Sequence, residues 1–335
     1  MPLIYKMAAQ NGYSFAVCLS HDVDRIYKTY QSIYNILTDR DPAELKDFLG
    51  FRSPYWQFER YMAIESAHDV RSTFNILDEK SLWERPIREW FSKQGWALFA
   101  GRYDATDLQL ASLWRVLDEF GWEIGLHGSY TSSDDPERFA YEKNRIESAA
   151  ETEIIGNRQH WWRLSRPDTW RHLHEAGIKY DTSLGDSNGV EFEHGYELVR
   201  PFDDEFVVFP WSLMDHAVMD TAETLDGVWS TCERLLEDVR RNRSVMVLDW
   251  HSEVPYEREY PGYVTIYEQL IERALEMGAW VGPPGQFYRA IPHPDGTIDD
   301  ALENLASEEP SGQISRDATP GGSDRENTRH SSRGR

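Results

Sequence analysis

The chain has 335 residues, 58 of them acidic against 35 basic, for a net charge of −23. Such a surface repels nucleic acid and anionic lipid, so neither is an expected partner, and no run nears the ~20 apolar residues that cross a bilayer, so no membrane insertion is expected. An aromatic fraction of 13% with 13 Trp excludes a wholly disordered chain and suits either a ring-rich core or sugar-stacking surfaces, and the acid excess with few Lys predicts a halophilic protein, kept soluble in high salt.

In chain order, Met1 to Gly12 is short and mixed, without the apolar core of a signal peptide, which predicts a cytoplasmic protein. Tyr13–Ser20 is apolar without helical spacing and reads as a buried strand. It runs into His21-Asp-Val-Asp24. Asp22 and Asp24 are two apart, so in extended geometry they point the same way. Two like charges that close cost free energy unless a cation or proton lies between them. A metal site explains them, with one carboxylate on the ion and the other working beside it. His21, on the opposite parity, is expected to face away.

Strands and helices then alternate. A helix around Glu59–His68 precedes a strand at Ser72–Leu77, and a helix at Asp107–Phe120 ends at Gly121 before the strand Trp122–Leu126. Pro136 opens a helix to about Thr152, capped by Asp134 or Asp135, followed by a strand at Glu153–Asn157. Next come a helix at Pro167–Ala176, strands at Ile178–Asp181 and Phe206–Pro210, and a long helix at Thr221–Arg241. The strand Ser244–Asp249, the helix Val264–Met277 and the strand Ala279–Val281 complete the set. The repeat predicts a parallel sheet or barrel in one domain over residues 1–300. Residues 301–335 turn to Ser, Gly, Asp, Arg and Pro and are expected to form a disordered tail. Cys18 and Cys232 are expected to be free structural thiols.

Polar residues cluster at the predicted strand ends: Asp22 and Asp24, His127 with Ser129 and Thr131, Arg158 with His160, Asp181, and Asp249 with His251. In a β/α barrel these ends share one mouth. An Asp with two neutral imidazoles suits Zn²⁺ or another divalent ion and leaves positions for water and substrate. Such an ion makes a nucleophile of water at neutral pH, a free carboxylate takes the proton, and a His protonates the leaving group. That inventory fits hydrolysis of an amide or ester.

The motifs Leu19-Ser-His-Asp-Val-Asp24, Gly125-Leu-His-Gly-Ser-Tyr-Thr131, Arg158-Gln-His-Trp161 and Val247-Leu-Asp-Trp-His251 resemble those of the polysaccharide deacetylase superfamily, the NodB-homology carbohydrate esterases of family 4. The resemblance spans about Tyr13 to Val281 and implies a distorted (β/α)₇ barrel and a metal-dependent deacetylase. It implies that Asp22 is the base, Asp24 and His127 bind metal, Arg158 orients the base and His251 is the general acid. The family's further His four residues after the first is Thr131 here. His160 is expected to supply the missing imidazole, giving Asp24, His127 and His160 as the metal set; otherwise Thr131 or water completes it. Asp249, two residues before His251, is expected to orient that imidazole. Trp161, Asp181 and Trp250 are candidate substrate contacts, with core packing the alternative for the two Trp, and Asp215 and His216 are expected near the same mouth. The expected substrate is an acylated carbohydrate, with a non-sugar amide as the alternative. An Asp-x-Asp glycosyltransferase is a further reading, but the chain has no Gly-rich phosphate loop.

Overall fold

The computed structural model describes residues 12–28, 53–92, 95, 98, 102–185 and 188–307. Its strands are β1 (Phe15–Cys18), β2 (Ser20–Val23), β3 (Thr73–Leu77), β4 (Glu123–Gly128), β5 (Gly156–Gln159), β6 (Tyr180–Asp181), β7 (Val207–Val208), β8 (Leu213–Met214), β9 (Val245–His251) and β10 (Ala279–Gly282). The α-helices are α1 (Phe58–Ala67), α2 (Leu108–Glu119), α3 (Pro136–Ala150), α4 (Asp168–Glu175), α5 (Asp215–Met219), α6 (Leu225–Arg241), α7 (Tyr263–Glu276), α8 (Pro284–Ala290) and α9 (Ile298–Ser307).

Three of the helices combine an apolar stripe with a side-chain cap. The Asp107 side chain accepts from the Gln109 N–H to start α2, whose Leu110, Ala111, Trp114 and Leu117 are buried. Asp135 caps α3 through the Arg138 N–H, with Pro136 in the first turn. Thr224 caps α6, which buries Val228, Cys232, Leu235, Leu236 and Val239.

All named strand pairings are parallel, in the order β10-β1-β9-β2-β3-β4-β5-β6-β7, with β8 on β9. β1 and β2 hold one register against β9, Ala16 facing Val245 and His21 facing Trp250. They are one bent strand whose first half also pairs β10 and whose second half pairs β3. The segment from β7 to β8 joins the ring: β7 pairs β6, β8 pairs β9, and between them Trp211 N–H donates to Leu184 O at 2.9 Å and Ser212 N–H to Val247 O at 3.1 Å. Counting β1–β2 and β7–β8 as one strand each gives the distorted (β/α)₇ barrel, with β10 as an extra edge. The expected strand 206–210 is thus shorter and interrupted.

Two apolar layers result. One lies between sheet and helices, with Phe74, Trp114, Leu126, Leu235 and Trp250; the other includes Ala16, Cys18, Tyr180, Val207, Trp211 and Val247. His21 faces the helical layer, where its Nε2 lies 2.8 Å from Glu65 and its ring 3.9 Å from Tyr61. Cys18 and Cys232 are buried free thiols. Helix α9 buries Ala301, Leu302 and Leu305, so the folded part runs past the expected boundary at residue 300; the expected tail beyond 307 lies outside the described residues. Among the described residues, no helix is long and apolar enough to cross a membrane.

The join between β7 and β8 needs a residue without a side chain at Gly185, which bridges Trp211; a Cβ there would meet the Trp211 ring at 1.7 Å. Gly185→Ala should therefore destabilise the fold by about 1–3 kcal/mol, read as a lower denaturant midpoint at unchanged slope.

Candidate active site

The C-terminal ends of β2, β4, β5 and β9 bring Asp22, Asp24, His127, Arg158, His160 and His251 together. His127 Nε2 lies 3.0 Å from Asp24 Oδ1 and 3.7 Å from Asp22 Oδ2, and His160 Nε2 lies 3.6 Å from Asp24 Oδ2. Asp24, His127 and His160 can each offer a donor atom within 4.8 Å of the others'. His251 Nε2 approaches Asp24 Oδ2 from another side at 3.9 Å.

Each imidazole is fixed from behind. His127 Nδ1 is 2.7 Å from Arg158 O, His160 Nδ1 is 3.4 Å from Glu79 Oε2, and His251 Nδ1 is 3.1 Å from both Asp215 oxygens. With Nδ1 engaged, each Nε2 faces the space between them, the arrangement metal-binding histidines use, and the Arg158 carbonyl on His127 Nδ1 leaves that ring's Nε2 with its lone pair. Glu79 is itself tied to Arg85 at 2.6 Å and to the Tyr130 N–H at 3.0 Å.

Asp22 sits deeper. It accepts from Asn75 Nδ2 at 2.8 Å and from Arg158 Nη1 at 3.3 Å. Arg158 has no exposed surface; it also lies 3.1 Å from Asp249 Oδ1 and donates to Thr182 O at 3.2 Å.

Among solved structures, the chain resembles one assigned as a polysaccharide deacetylase from Mycobacterium smegmatis (TM-score 0.54, 20% identity, covering 83% of this chain and 90% of that one). It resembles another from Pseudomonas aeruginosa PAO1 (0.53, 12%, 86% and 93%). This chain has the polysaccharide deacetylase fold. An allantoinase, PuuE, shares it (0.52, 12%, 83% and 90%). No family model and no curated protein matches the sequence.

Within the deacetylase fold, charge sorts the carboxylates. Burial raises the pKa of Asp22, but His127, Arg158 and His251 outweigh it and hold the group below its ordinary value. Burial also opposes ionisation of Asp24, yet His160 and His127 keep it well below. Asp249 goes the other way: burial and the nearby Asp22 push it up to about 7 despite Arg158. His160 is lifted to about 9, Asp24 and Glu79 outweighing burial, so the site attracts cations strongly. Asp24 Oδ1 is buried with no aligned hydrogen-bond donor, although His127 Nε2 is 3.0 Å away. Two electron-pair donors that face each other in this way fit a divalent cation.

Several expectations need correction. Asp249 does not orient His251; it pairs with Arg158 and accepts from Trp162 Nε1 at 3.0 Å, and Asp215 holds the imidazole instead. Trp250 has no exposure and packs on Tyr267 in the helical layer. Asp181 is equally buried, accepting from Asn157, Ser183 and Trp170. Neither is a substrate contact. Strand alternation carries the signal for Trp250, since it lies between the inward-facing Asp249 and His251. Trp161 does reach the surface at 48% exposure, in a left-handed conformation (φ 54°) shared by Trp162 (φ 49°). Such backbone costs about 1–3 kcal/mol per residue in general, here sustained by Trp162 stacking on Trp211 at 4.6 Å. Asn75 within β3, and Glu79 and Arg85 beyond its end, escaped the sequence reading because that strand end carries no His.

Burial alone would lower the pKa of His251, but Asp215 raises it well above the ordinary value. A raised folded pKa keeps the imidazolium present as pH rises, until pH passes that value. Asp215→Asn removes the supporting charge, so any activity requiring the protonated His251 should lose its alkaline limb at lower pH than wild type. A pH profile of kcat/KM checks this; an unmoved limb would separate Asp215 from the acid.

Proposed function

We propose that this chain is a divalent-metal-dependent hydrolase that removes acetyl groups from an N-acetylated sugar or polysaccharide precursor. The observation that carries the reading is the Asp24–His127–His160 donor set, with its atoms within 4.8 Å, beside an ionised Asp22. Zn²⁺ is the proposed ion, by its preference for imidazole and carboxylate donors, and it supplies Lewis acidity toward a carbonyl and toward water.

The chain's own groups do the rest. Asp22, held by Asn75 and Arg158, takes the proton of the attacking water. An amine cannot leave as its anion, so His251 donates a proton to the departing nitrogen, its imidazole held by Asp215. Trp161, exposed beside His160 and 5.2 Å from the Tyr130 ring, offers an apolar face to a sugar, which favours a carbohydrate over a non-sugar amide. A glycosyltransferase reading leaves the three imidazoles without a role.

Metal content and acetate release together test the proposal. Purified protein should carry a divalent ion, removed by chelation with loss of acetate release from N-acetylated sugars. His127→Ala and His160→Ala should each lose the ion and Thr131→Ala should keep it; the reverse pattern would make Thr131 the third ligand. Asp22→Asn should keep the metal and lose roughly two to four decades in rate.

His251→Ala should cut amide hydrolysis sharply and activated aryl esters much less, since a phenolate leaves unaided. Equal losses on both substrates would remove His251 from the acid role.

A further inference from the structure

Beside the catalytic set, Asp215, His216 and His251 form another cluster whose donor atoms lie within 4.8 Å of one another. It is built where β8 passes into α5, so that Asp215 and His216 emerge next to the end of β9. Asp215 is fully buried, the His251 side chain is 16% exposed and that of His216 is 41% exposed, so the cluster has a sealed base and an open side. His216 Nδ1 is 3.0 Å from the Tyr263 hydroxyl, and its Nε2 lies 3.9 Å from Asp215 Oδ1. The Tyr260 and Tyr263 rings flank it at 5.6 and 5.5 Å.

We propose that Asp215, His216 and His251 constitute a second divalent-ion site, and that an ion there inhibits hydrolysis. The donor set, one carboxylate and two imidazoles, matches the chemistry of Asp24, His127 and His160. The two sets differ in what occupation does. Asp215 and His251 Nδ1 face each other at 3.1 Å. An ion that takes both groups replaces the hydrogen bond between them, releases the proton they share, and removes the support of the proposed acid. The catalytic set contains no such shared residue, so the first ion activates and the second competes with proton delivery. The inhibitory part rests on the function proposed above; the binding part does not.

Equilibrium dialysis of the full chain against buffered free Zn²⁺, followed by elemental analysis, tests binding without recourse to activity. Wild type should bind a first equivalent tightly and a second more weakly. His216→Ala should keep the first and weaken the second by at least about tenfold, the least that even an outer-sphere loss costs a metal site. His127→Ala should do the opposite and keep the second. A third described cluster, His68 with Glu268 and Glu272, provides the control: His68→Ala should leave the His216-dependent equivalent intact. A second equivalent that survives His216→Ala, or that disappears in His68→Ala, overturns the proposal, as does a wild type that binds one ion only. On turnover, excess Zn²⁺ should inhibit wild type, and His216→Ala should need at least about tenfold more. A His216-dependent second ion in a protein without deacetylase activity would sink the proposed function and leave the site standing. Full activity at saturation of both ions would overturn the inhibitory role.

Discussion

The buried guanidinium of Arg158 is the constraint on which the rest of the site depends. Its side chain reaches Asp22 on β2, Asp249 and Leu248 O on β9, and Thr182 O just beyond β6. A fully buried charge costs several kcal/mol unless neutralised and hydrogen-bonded. Here two carboxylates share the task, and they divide unequally: Asp22 stays ionised while Asp249 is pushed up to about 7. One cation therefore holds two carboxylates in different charge states, the proposed base and its neighbour. Asp249 in turn holds Trp162, whose backbone carries the strained turn that presents Trp161.

The same economy of contacts governs the imidazoles. Arg158 supplies its own carbonyl to His127, so the residue that orients the proposed base also orients a proposed ligand. Glu79 does this for His160 and Asp215 for His251. Glycine makes room at one further point: a Cβ on Gly125 would meet Asn75 Oδ1 at 2.3 Å, so the side chain that steadies Asp22 depends on β4 having no side chain there.

Much of this was legible in the sequence because strand ends announce themselves. Apolar runs closing on Asp, His or Arg gave Asp22, Asp24, His127, Arg158, His160 and His251, and alternation placed His21 on the helical face. What was not legible depends on contacts between distant segments. Asp215 was expected near the mouth, but its pairing with His251 was not: it lies 36 residues earlier, just after the interrupted strand that joins the ring, and nothing local ties the two. Asp249 was misread because parity gives a face, not a partner; it does face inward, but Arg158 is there first. Trp250 was misread by neglecting that same parity. The break at Leu19 was invisible because one apolar run serves two different neighbours.

The interrupted strand has a consequence for heat. β7 and β8 each contribute two paired residues, so this stretch has few backbone hydrogen bonds resisting a local opening, and such openings need far less free energy than global unfolding. Asp215 follows directly on β8. When the join loosens, the carboxylate behind His251 moves away while Arg158 and its partners still hold β2, β5 and β9 together. Warming should therefore strip the His251 imidazole of its carboxylate in a molecule that is still folded, ahead of denaturation.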